Sequence, residues 1–106
     1  MLESKFKTEL IKDLKHLLIG CIILHNDPNE IQGIPDLTVL YKKNWACLEG
    51  KRNAKSPCQP NQEYYVDELN KLSFARFIYP ENKEEVLDEL LQAFGVRRPA
   101  RIPKSK

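Results

Sequence analysis

No apolar run in this chain is long enough to cross a bilayer; the longest, "LLIGCIIL", is roughly half the length a membrane helix needs. The order of a secretory leader is also missing, because charged residues interrupt the apolar ones from Glu3 onward. Together these absences point away from membrane and export and toward the cytoplasm. A strong charge of one sign is lacking too. Seventeen Lys and Arg against 15 Asp and Glu leave a net +2, so bulk charge names no partner. Cysteine is scarce and odd in number. Cys21, Cys47 and Cys58 exclude a disulfide framework and read as reduced, buried thiols. With His16 and His25 they do not make up a structural zinc pattern. No internal repeat or low-complexity segment is visible, and 106 residues leave room for one hydrophobic core but not two.

What is present is ordinary globular composition, 42% hydrophobic and 30% charged, arranged with clear periodicity. Phe6, Leu10, Leu14, Leu17 and Leu18 recur at helical steps, predicting a first helix from Glu3 to Leu18. "IGCIIL" reads as a buried strand, and "HNDPNEIQGIP" as a loop. "DLTVLY" and "WACLEG" read as a hairpin turning at "KKN". After a polar loop, Pro60 suits the first turn of a helix running to about Lys71, and "FARFIY" reads as a further strand. Asn82 and Glu85 form a capping-box pattern before a last helix carrying Val86, Leu87, Leu90, Leu91 and Phe94, with Gly95 as its stop. The predicted order is αβββαβα, an α/β fold whose mixed β-sheet is flanked by helices, over residues 1–95. Residues 96–106 form a basic, acid-free tail with Arg97, Arg98, Arg101, Lys104 and Lys106. That tail is either a solvated end or an arm for phosphates.

The hairpin carries the chemistry. If its turn has an even number of residues, facing positions sum to 85, and Asp36 faces Glu49 across the ribbon. Alternation then brings Lys51 to the same face, whereas an odd turn would separate the acids. Two carboxylates held together repel unless a cation intervenes. Hard oxygen donors of this kind suit magnesium, which keeps several waters and needs only one or two protein carboxylates. A lysine alongside can orient a water or neutralise charge developing on a phosphate.

Pro35-Asp36 followed by Glu49-Gly50-Lys51 resembles the signature of the PD-(D/E)xK nucleases. "GIPDLTVL", "CLEGKR" and "SPCQPNQEYY" look most like the virus-type replication-repair nuclease (VRR-NUC) group and its standalone phage forms. The small Holliday-junction resolvases are close in layout. The resemblance covers about residues 3–80 and implies a restriction-endonuclease-like core. It implies that Asp36, Glu49 and the Gly50 carbonyl hold the metal and that Lys51 is the catalytic lysine. It also implies a first-helix glutamate, here Glu3 with Glu9 and Asp13 as competitors, and a glutamine, here Gln62.

His25, Arg52 and Lys55 are candidate DNA contacts, each set against a plain solvated side chain. Lys42 and Lys43 read as solvated, and Trp45, Tyr64 and Tyr65 as packing. The expected protein is therefore a Mg2+-dependent endonuclease, with Mn2+ able to substitute, that leaves a 5′-phosphate and a 3′-hydroxyl. So short a chain suits DNA shape better than base sequence, and two symmetric cuts in a four-way junction call for a homodimer. Junction resolution leads. The alternatives are a flap, fork or general nicking nuclease, and a catalytically silent DNA-binding module of the same fold.

Overall fold

In the structure, a computed structural model describing residues 2–98, seven elements follow one another. Helix α1 (Glu3–Leu17) precedes strands β1 (Ile22–His25), β2 (Leu37–Tyr41) and β3 (Asn44–Gly50). Helix α2 (Gln62–Leu72), strand β4 (Ala75–Ile78) and helix α3 (Lys83–Ala93) complete the chain. The strands form one mixed sheet in the order β1-β2-β3-β4, with the first three antiparallel and β4 parallel to β3. The fold is thus α/β, with a four-stranded mixed sheet and three helices.

Alternation along the strands sorts the two faces. Leu37, Val39, Ala46, Leu48 and Ile78 point to the side where Phe6, Leu10 and Leu14 of α1 and Leu87, Leu90 and Leu91 of α3 close the main core. On the other side α2 covers only β3 and β4, burying Cys47, Ala75 and Val66 with Trp45, Leu69 and Phe77 packed around them. The hairpin register is the one an even turn requires, Leu37 facing Leu48 and Tyr41 facing Asn44, with Lys42-Lys43 as the two-residue turn. Lys42 takes a left-handed φ of 54° there, a conformation that lysine adopts only under pressure from the turn.

Several expectations need correction. The run "IGCIIL" is not a buried strand: β1 lies at the sheet edge, beyond the reach of α2, and Ile22 and Leu24 are exposed. Pro60 lies outside α2, because Asn61 turns left-handed (φ 70°) and the helix starts at Gln62. Asn82 makes no side-chain cap bond. Its amide instead ties the end of β4 to α3, accepting from the Tyr79 N–H (2.8 Å) and donating to the Phe77 carbonyl (3.1 Å). Of the three free thiols only Cys47 is buried; Cys58 is exposed. In the tail, Arg98 folds back to pair with Glu84 and Asp88, while Arg101, Lys104 and Lys106 lie outside the described residues.

Candidate active site

The site forms where β3 ends. Glu49 and Lys51, separated by Gly50, are the buried charged residues among those described, at 4% and 6% exposure. Asp36 stands opposite Glu49 just before β2, and the two are laced reciprocally. The Asp36 N–H donates to Glu49 Oε1 (3.2 Å), and the Gly50 N–H donates to Asp36 Oδ2 (3.1 Å). Each carboxylate therefore grips the backbone of the facing strand, which fixes both oxygens at the strand ends.

Lys51 is held from two sides. Its ammonium donates to Gln62 Oε1 (2.6 Å) and to the Pro57 carbonyl (3.1 Å), and it lies 4.0 Å from Glu49 Oε2. Gln62 can do this because it opens α2 while its Oε1 also accepts the Gln59 N–H (2.8 Å). The Gln62 amide is thus a clamp on Lys51. The loop that delivers Asp36 is packed against the start of α2 at Gly33. A Cβ there would lie 2.6 Å from Asn61, and its φ of +92° already favours glycine.

Burial first, and then repulsion from Asp36, push the Glu49 carboxyl up to about 7 despite the nearby Lys51. Such a group is poised to lose its proton near neutrality when a cation arrives. Asp36, Glu49, Lys51, Gln62, Glu3 and Arg52 all line one cavity of about 690 Å³. Glu3, at the start of α1, thus does reach the site, whereas Asp13 is committed to Lys83 of α3. Lys55 is exposed and does not line the cavity. His25 faces Leu37, so alternation sets it on the face opposite Asp36 and Glu49, away from the cavity.

One residue escaped the sequence reading. Lys7 of α1 lies 3.2 Å from Asp36 Oδ2 and 3.4 Å from Glu3 Oε2. Its signal was present in the four-residue spacing from Glu3, but nothing local pairs it with Asp36, 29 positions away.

Comparison with family models, characterised proteins and solved structures gives no match. The site must be read on its own chemistry. Among the described residues no group of three or more His, Cys, Asp or Glu side chains is placed to hold a metal. A hydrated hard cation needs only one or two protein carboxylates, and Asp36 and Glu49 are a donor pair of that kind, with Gly50 beside them. The repulsion that raises Glu49 is what a divalent ion between the two would relieve.

Proposed function

We propose that this chain is a magnesium-dependent endodeoxyribonuclease of the PD-(D/E)xK kind, with a restriction-endonuclease-like core and a four-way DNA junction as its leading substrate. One observation carries the reading. Glu49 and Lys51 are buried side by side at a cavity edge opposite Asp36, where hydrophobic residues would stabilise the fold better. A salt-bridged hairpin end with no chemistry would stand in water.

Asp36, Glu49 and the Gly50 carbonyl would hold the ion, with manganese able to replace magnesium. When bound, the ion polarises the phosphate and lowers the pKa of water. Hydrolysis joins a water oxygen to phosphorus and breaks the bond to the 3′ oxygen, giving a 5′-phosphate and a 3′-hydroxyl. Lys51, its ammonium fixed by Gln62 and Pro57, is positioned to orient the attacking water and to neutralise charge growing on the phosphate. Arg52, on the cavity rim, would contact a backbone phosphate.

A homodimer acting on two strands is supported by β1. Its outer edge is unpaired among the described residues, and it carries no charge or proline that would guard against pairing with a second copy. The test is cleavage of a labelled immobile four-way junction in magnesium, with flap and plain duplex alongside. Paired symmetric nicks, lost by at least about a hundredfold in Glu49→Gln and Lys51→Ala, are expected. Equal cutting of every DNA would keep the nuclease and remove the junction. Tight junction binding without cleavage in magnesium or manganese would overturn the enzyme.

A further inference from the structure

We infer that Lys7 is a resident counter-ion of this site, an ammonium seated on the carboxylates that a divalent cation must displace. The inference rests on the metal-dependent reading above and adds to it a residue which that reading does not contain. The Lys7 ammonium bridges Asp36 Oδ2 at 3.2 Å and Glu3 Oε2 at 3.4 Å, two of the acids that line the cavity. It is only about a quarter exposed, so the contact is not a loose surface pair. The same Asp36 oxygen accepts the Gly50 N–H, so the ammonium sits beside Gly50 at the end of β3.

A second observation shows that this placement is built in. A Cβ on Gly50 would lie 2.9 Å from Lys7 Cγ and 3.2 Å from its Cδ. Gly50 has no left-handed backbone to explain the glycine. The missing side chain between Glu49 and Lys51 is the space through which the Lys7 stem descends to Asp36. Lysine suits the role better than arginine, being a compact point charge on a flexible stem that can swing out once another cation arrives.

The physical consequence is competition. While the ammonium holds Asp36, the state open to a divalent ion is a fraction of the whole, and the apparent affinity falls by that fraction. Removing the ammonium should therefore tighten metal binding even though an ion pair is lost.

The experiment is calorimetric titration of the chain with magnesium chloride, and separately with manganese chloride, in wild type, Lys7→Met, Lys7→Arg and Lys5→Met. Lys7→Met should bind about five- to tenfold more tightly than wild type. Lys7→Arg, which keeps a cation over Asp36, should stay within about twofold of wild type. Lys5→Met removes the same charge from an exposed position of α1 and controls for long-range repulsion; it should also leave the affinity unchanged. Thermal melting in chelator confirms that each variant is folded before titration. Unchanged or weaker binding in Lys7→Met, or equal tightening in Lys5→Met, would overturn the counter-ion while leaving the metal site standing. Failure of both wild type and Lys7→Met to bind either ion would overturn the metal reading and the inference together.

Discussion

On one face of the sheet Leu37, Val39 and Leu48 are wholly enclosed by α1 and α3, whereas the other face passes from Cys47 under α2 to Glu49 and Lys51 at the cavity. Both faces come from the same strands, separated only by alternation. The first is a dry layer that opposes the chain's conformational entropy. The second has one short helix over it, and its hydrocarbon cover stops short of Glu49 and Lys51. What closes that end is a set of paired charges, tied to backbone and to Gln62. Dry core and candidate site are thus divided between alternate positions along each strand of one hairpin.

The sharpest way to break this division is to empty the dry face. Leu48→Ala should cost about 3–4 kcal/mol in chemical denaturation, because a fully enclosed leucine leaves a cavity that packed helices cannot close. On the other face, Cys47→Ala should cost much less. Equal losses would mean that the two faces share the burden evenly.

Next comes pH, which should act most strongly on Glu49 at the end of the second face. In the fold the Glu49 carboxyl titrates near 7 rather than at its ordinary 4.5, so the folded state holds that proton more tightly than the unfolded state. Its contribution to stability is therefore fullest below about 4.5 and is lost as pH rises toward 7. A shift of this size corresponds to at most about 3 kcal/mol. Denaturation in chelator at pH 4.5, 6 and 7.5 should show wild type weakening across that window, with Glu49→Gln nearly flat over the same range. A wild-type slope that survives in Glu49→Gln would place the titration elsewhere.

Much of this was legible in the sequence, and the reasons are local. The α/β composition of elements follows from periodicity, whereas the pairing of Asp36 with Glu49 hangs on an even turn, which the two-residue Lys42-Lys43 turn supplies. The misreadings share a different cause. The exposure of Ile22 and Leu24 depends on how far α2 extends across the sheet, a tertiary fact that β-branched composition cannot report. Asn82 sits in a good capping pattern, yet backbone groups at Phe77 and Tyr79 compete successfully for its amide. Lys7 falls between Phe6 and Leu10 of a helical stripe and looks like a flank of that stripe until α1 is laid beside Gly50. Gln62 was recognised by position, but its partner, Lys51, is decided by the loop between them.

That loop yields a smaller test. Gln62→Met keeps the bulk of the side chain but leaves Lys51 with the Pro57 carbonyl as its remaining close partner. The stability loss should be about 1.5–3 kcal/mol, the range for a hydrogen bond to a charged group. If the proposed nuclease reading holds, cleavage should fall more steeply than stability, since Gln62 would no longer fix the Lys51 ammonium. If rate and stability fell in proportion, Gln62 would be serving only the start of α2.

The smallest effect is expected where the second face runs out from under α2. Leu24, 45% exposed on the edge strand, contributes little to a single copy's fold, so Leu24→Lys should change its stability by no more than about 0.5 kcal/mol. The same change puts a charge on an edge otherwise open to pairing with another copy. If β1 carries the proposed two-fold contact, sedimentation should show monomer in this variant where wild type sediments as a dimer, with the far-ultraviolet circular dichroism of the folded chain retained. A variant that stays dimeric would move the two-fold contact off β1, and one that unfolds would show that this edge belongs to the core after all.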